Sequence, residues 1–191
     1  DCNALPACNA AFSCVRTPRL FVTSGATSAL TLVSAATNPF TFTGVGNLGF
    51  TINAVGYNFL DGRFYGYRQS DNHLLRIVRN PAANPPFTVT DISGTNGDPT
   101  VISSFAADVD DNGNMWVRNG TSLSRIVLAT KAVTTTANAG TIGADLAYNP
   151  DNSRVYSYGR VGGNGVVSVF NTRTLTDETA AANISFPGGL T

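Results

Sequence analysis

The sequence predicts an all-β fold of β-propeller-like repeats, about four blades in number, either closed or left as an open or incomplete propeller. Three observations predict it. Gly, Asn, Pro and Thr recur every few residues, with β-branched and apolar residues filling the runs between them, and helix signals are nearly absent. Those runs alternate in the manner of strands and are bounded by turn residues. One hairpin pattern then returns three times at a spacing that suits a blade.

In chain order, residues 28–33, 40–45, 51–57, 63–68, 73–79 and 87–92 read as strands. Residues 103–109, 114–117, 122–128 and 132–136 continue the series, and 144–148, 154–158, 166–170 and 182–186 close it. The repeated hairpins cover residues 52–67, 105–117 and 142–158. Each has a small residue, an apolar strand, a turn of Asp/Asn/Gly type and a return strand carrying an aromatic. The turn anchors Gly62, Gly113 and Ser153 lie 51 and 40 residues apart. A further strand follows each, at 74–78, 123–127 and 166–170, and the first two of these share Leu-x-Arg-Ile-Val. Periods of about 40 to 50 residues with four strands per unit describe propeller blades. Three arrangements stay open at this length: a closed four-bladed ring, a piece of a longer protein, or an open arc whose edges pair with neighbouring subunits.

Charge narrows the partners. Charged residues make up 13% of the chain and the formal net charge is zero. Lys131 is the single lysine and Glu178 the single glutamate. A nucleic-acid ligand needs a basic patch, and none is visible; Arg76 and Arg79 are flanked by Asp71 and Asp91. No apolar run reaches the roughly 20 residues of a membrane-spanning helix. A chain with one lysine has little to keep exposed strand edges from pairing with other chains, so the low charge reads either as a weakly charged, glycosylated monomer or as a protein meant to associate, and self-association is the expectation carried forward.

Cys2, Cys8 and Cys14 sit six residues apart near the N-terminus, and no other cysteine follows. Zinc sites use closer pairs and four ligands, so a disulfide framework is the better reading. Three is odd, which leaves one thiol free, bonded to another chain, or bonded to sequence beyond Thr191. Disulfides belong to oxidising compartments. The start at Asp1 and the sequons at Asn119 and Asn183 agree with secretion and glycosylation. The expected division is a cysteine-containing segment at 1–22 and the repeat domain at 23–191.

Candidate chemistry is sparse. Asp108, Asp110 and Asn112, followed by Gly113, resemble the opening of a calcium loop, but the closing acid is missing, since the twelfth position is Asn119. The competing reading is a hairpin turn in which Asn and Gly supply positive φ. Calcium is the one cofactor the sequence suggests. His73 is the only histidine and opens a strand; no Gly-x-Ser-x-Gly elbow accompanies it. Asp108, Asp110 and Asp145 are the acids a glycosidase pair would draw on, though turn aspartates usually bond their own backbone. The chain is therefore read as a non-enzyme. Trp116 and Tyr67 are the first candidates for a sugar-stacking platform, against the reading that the strand aromatics are core.

The run Tyr57-Asn58-Phe59-Leu60-Asp61-Gly62, with Tyr65-Gly66 beyond it and Leu-x-Arg-Ile after, resembles the propeller-type repeats of secreted bacterial and fungal proteins. Many of those are domains of unknown function similar to adhesin or cell-surface modules. The resemblance covers residues 51–174 and implies a fold and an extracellular setting. Together these readings point to an extracellular structural or surface protein that self-associates into a filament or layer, through strand edges and the N-terminal segment. A lectin-like, glycan-binding propeller module is the alternative.

Overall fold

The computed structural model describes residues 20–34, 38–80, 82, 84, 86–94, 97–104, 106–136, 145–161, 164–179 and 185–186. The elements among them are all strands, paired antiparallel in four sheets. Blade 1 holds β1 (Leu20–Ser24), β2 (Ala29–Ser34) and β3 (Thr41–Asn47). Blade 2 holds β4 (Ile52–Asn58), β5 (Arg63–Arg68), β6 (His73–Arg79) and β7 (Phe87–Asp91). Blade 3 holds β8 (Ala106–Val109), β9 (Asn114–Asn119), β10 (Ser122–Val127) and β11 (Ala132–Thr136). Blade 4 holds β12 (Asp145–Asn149), β13 (Arg154–Val161) and β14 (Asn164–Asn171). Its outer edge is shared by β15 (Thr176–Asp177) and β16 (Ser185–Phe186), which pair with opposite ends of β14.

Fourteen strands of the sequence reading are present, with ends moved by a few residues. The strand expected at 103–109 is confined to β8, because Ser104 turns its hydroxyl onto the carbonyls of Ala106 and Arg118 instead of continuing the ladder. β1 and β15 were not foreseen. β1 runs across the boundary expected after residue 22.

The repeat is physical. Gly62, Gly113 and Ser153 each stand immediately before the second strand of their blade, at φ +71°, +74° and +55°. This left-handed conformation is easy for glycine and rare for serine. In blade 3, Gly113 N–H donates to Asp110 O at 3.2 Å, a turn one residue shorter than the Asn58–Gly62 turn of blade 2.

Packing is between blades. One cluster joins blades 2 and 3 through Tyr65, Tyr67 and Leu74 against Val109, Met115 and Ile126. A second joins blades 3 and 4 through Trp116 and Leu123 against Leu146, Val155 and Phe170. A third joins blades 1 and 2 through Leu30 against Phe64, Leu75 and Ile77. The first strands stand closest. A methyl placed on Gly56 of β4 would lie 2.7 Å from Val109 Cγ2 and 2.9 Å from its backbone nitrogen, so only glycine fits there. Between β8 and β12, Tyr148 N–H donates to Asp108 Oδ2 at 2.8 Å. Among the described residues no hydrophobic cluster joins blade 4 back to blade 1. Among the described residues the four blades meet at three seams.

Candidate functional site

The strand aromatics close turns. In blade 2, Tyr65 Oη donates to Asp61 Oδ2 at 2.6 Å. In blade 3, Trp116 Nε1 donates to Asp110 Oδ2 at 2.8 Å. In blade 4 the direction reverses, and Asn152 Nδ2 donates to Tyr156 Oη at 2.8 Å. Each ring sits three residues past the strand-entry turn and reaches back over it. Burial, aided by the Asp61 bond, pushes the Tyr65 hydroxyl up to about 12.

Both sugar-stacking candidates are core. Tyr67 is 1% exposed and Trp116 is 2% exposed. Tyr67 Oη donates to Thr100 O at 3.0 Å, and the Trp116 ring lies 5.8 Å from Phe170. Neither offers an open ring face. Their blades are covered on both sides, so alternation along the strand does not expose one set of residues.

The calcium-like run is a turn held by its own acids. Asp110 is buried, and Oδ1 accepts from Asn112 N at 2.9 Å and Asn114 N at 2.8 Å. Its Oδ2 accepts from Asn114 Nδ2 as well as from Trp116. Asp108 is spent on Val109 N and Tyr148 N, and Asn112 Nδ2 donates to Asp111. Burial raises the Asp108 carboxyl above its usual range. Asp110 is saturated with N–H donors and Asp108 is turned to backbone N–H groups of β8 and β12, so the two carboxylates do not aim at a common cation and the residues do not fit a calcium loop. Among the described residues no three His, Cys, Asp or Glu side chains gather as a metal site would require. Asp145 Oδ1 accepts from its neighbour Leu146 N.

His73 opens β6 in a surface network. Its Nδ1 lies 2.8 Å from Asp91 Oδ2, which also accepts from Arg68 Nη2 at 2.8 Å. Arg68 forks onto Asp71 at 2.6–2.9 Å, and this contact holds the Asp71 carboxyl below its usual range. The network ties the β5–β6 turn to β7, a structural task. Asn119 is exposed at the two-residue β9–β10 turn, where Gly120 at φ +57° suits a type II′ hairpin. Cys2, Cys8, Cys14 and Asn183 lie outside the described residues.

The least satisfied surface is blade 1. Its strands pair as the second, third and fourth strands of blade 2 do, and among the described residues nothing pairs with the free edge of β1. On the face turned away from blade 2, Val22 is 43% exposed and Phe42 is 67% exposed, while Val33, the partner of Phe42, is buried. The first four residues of β3 are all exposed along the opposite edge. An aromatic on a long, uncharged edge strand is a template for another chain. The sequence signal that could have found it was Phe40-Thr-Phe42-Thr, an alternation with apolar residues but no charged ones.

Four antiparallel sheets of three to five strands, packed side by side with β4, β8 and β12 adjoining, are a β-propeller arrangement. The chain belongs to the family described as a repeat of unknown function (DUF6923), whose profile matches residues 21–188. That match takes in blade 1, so the repeat reaches well before residue 51. No curated protein sequence matches the chain. In fold it is similar to a chain of a nidogen/laminin complex, with a TM-score of 0.62 and 12% identity over 90% of this chain and 64% of that one. It is also similar to an auxiliary nutrient binding protein from Bacteroides thetaiotaomicron, with a TM-score of 0.55 and 12% identity over 83% of this chain and 37% of that one. A second such protein, from Bacteroides ovatus, gives 0.54 and 11% over 88% and 38%. At these identities the likeness is one of fold. The chain thus spans between 37% and 64% of the length of these structures.

Proposed function

We propose that the protein is an extracellular structural or surface component that self-associates, with blade 1 as the end through which copies join. The observation that carries this reading is β3, a seven-residue edge strand whose first four residues are exposed, Phe42 among them, with no charged residue along it. Dispersed proteins shorten, bend or charge such edges, most often with lysine. The single lysine, Lys131, stands in the turn before β11 of blade 3, away from this edge. The exposed apolar residues of blade 1 add a second reason: Phe40, Phe42 and Val22 are all exposed.

A charge placed on the edge tests the reading. Light scattering over a concentration series should show the wild-type chain growing with concentration and Thr43→Lys staying dispersed. A wild-type chain that stays monomeric at every concentration defeats the reading. The lectin-like alternative draws on one side chain, Phe59, which is 57% exposed at the tip of the β4–β5 turn and meets Tyr57 edge-on at 4.9 Å. Two of the similar structures are named as nutrient binding proteins, which agrees with it. Saturable oligosaccharide binding by a monomeric chain, lost in Phe59→Ala, would favour that alternative.

A further inference from the structure

We propose that Arg76 and Arg125 form two equivalent sites for the carboxylate groups of an acidic oligosaccharide, one at each of two neighbouring seams. This goes beyond the self-association reading and does not depend on it. The starting point is the motif Leu-x-Arg-Ile-Val, which β6 and β10 share. Its apolar residues are core: Leu74, Ile77, Leu123 and Ile126 are at most 2% exposed. The arginine at its centre is half-buried in both strands.

Register places the two arginines alike. Arg76 lies between Tyr65 of β5 and Thr90 of β7, and Arg125 lies between Trp116 of β9 and Thr134 of β11. Each stands beside the ring that closes its blade's entry turn, with a threonine on the other side. Alternation along the strand puts Arg76 on the face of Leu74, toward blade 3, and Arg125 on the face of Leu123, toward blade 4. In blade 4 the residue across from Tyr156 is Val169, so the rung itself does not require an arginine.

Neither guanidinium has a counter-charge among the described residues. The acids near Arg76 in sequence, Asp71 and Asp91, are taken by Arg68, and Asp91 also by His73. Arg63 and Arg154 have carboxylates of their own, Asp61 and Glu178. In Arg76 and Arg125 alike, Nε is buried and has no hydrogen-bond partner, while the Nη groups keep contact with solvent. A buried N–H without an acceptor is costly, and more so on a charged group. The chain carries that cost at the same place in two blades. A cation half stripped of water, with its Nη fork still reachable, is ready for a carboxylate, which it grips through two parallel hydrogen bonds. The protein on its inner edge lowers the local dielectric and strengthens that attraction.

The class of ligand follows from the number of sites and their surroundings. Two like sites on one chain favour a ligand that repeats its anionic group, because the second contact is then intramolecular. Thr90 and Thr134 bring hydroxyls, which both donate and accept, and these suit a hydroxyl-rich ligand. Nucleic acid calls for denser positive charge than a chain of zero net charge supplies. The rings of Tyr65 and Trp116 are buried, so bases find no face there to stack on. A polymer of sugar acids has the repeating carboxylates and the hydroxyls between them.

The test titrates oligogalacturonate into the full chain and follows the heat of binding. The wild-type chain should bind it, more weakly as salt rises, and should not bind the methyl-esterified form, which keeps the sugars and loses the charges. Arg76→Gln and Arg125→Gln should each weaken binding roughly tenfold, and the double variant should abolish it. Arg79→Gln and Arg173→Gln, at exposed arginines, should leave it unchanged. No binding by the wild-type chain, equal binding of the ester, or equal losses in all four single variants overturns the proposal. Binding of poly-glutamate in place of oligogalacturonate overturns the choice of a saccharide. Where a variant unfolds, the wild-type chain still decides: nitrogen-15 spectra should show two arginine Nε–H signals moving together during the titration, and none moving overturns the proposal. Light scattering reads assembly and calorimetry reads the ligand, so failure of either reading leaves the other standing.

Discussion

Blades 1 and 2 are built on one hairpin, and they differ in how many of their faces are covered. In blade 2, Leu74 faces blade 3 while Leu75 and Ile77 face blade 1, and the middle of β5 is buried throughout. In blade 1, Leu30 packs into blade 2, while Val22 and Phe42 look outward. The residue types are alike, and the packing of the neighbouring blades decides which of them meet water. Blades 2 and 3 behave as layers in a stack, buried on both faces, whereas blade 1 keeps Val33 buried and leaves Val22 and Phe42 exposed.

The sharpest way to break this comparison is to damage an interior seam. Trp116→Ala removes a buried ring between blades 3 and 4 and leaves Asp110 short of a donor, so it should cost about 3–5 kcal/mol, read as a lower urea midpoint. A loss under about 1 kcal/mol would mean that the seam is not where the stability lies. Gly56→Ala comes next. The added methyl meets Val109 in the backbone-close contact between β4 and β8, and overpacking of that kind costs about 1–3 kcal/mol. Hydrogen exchange should then rise along both strands. The smallest effect belongs to blade 1. Phe42→Ser should move stability by less than about 0.5 kcal/mol, since the ring is mostly in water already. Its melting curve should overlay that of the parent protein under conditions where both are dispersed. A large loss there would mean that the outer face of blade 1 is covered within the molecule.

Much of the fold was legible because turns and strands announce themselves locally. Gly62, Gly113 and Ser153 could be aligned by eye, and all three sit at the same corner of their blades. β1 escaped because Pro18 and Arg19 precede Leu20-Phe21-Val22 and its hairpin carries neither the Asp/Asn-Gly turn nor the strand tyrosines of the others. β15 escaped because two residues make no pattern. The candidate ligand residues failed for another reason. In a strand with one wet face, every second aromatic is exposed; in β5 and β9 both faces are buried, so alternation carries no information about exposure. The calcium reading failed because a turn that gathers N–H groups onto a carboxylate uses the same alternate acids as a loop that gathers oxygens onto a cation. The spacing was right and the polarity of the partners was opposite. The exposed edge of blade 1 was half legible: low charge pointed to unprotected strand edges, and only the sheet order identifies β3 as one of them.

Trp116 is the only tryptophan, and its indole is locked to Asp110 and set against Phe170 at the seam of blades 3 and 4. The intrinsic emission of this protein is therefore a gauge with one fixed position. It reads the opening of that seam and is blind to the seam of blades 1 and 2, which holds no tryptophan and loosens without changing the colour of the light. A denaturation curve followed by tryptophan fluorescence and one followed by backbone circular dichroism measure different parts of this molecule, and any gap between them measures how independently its blades melt.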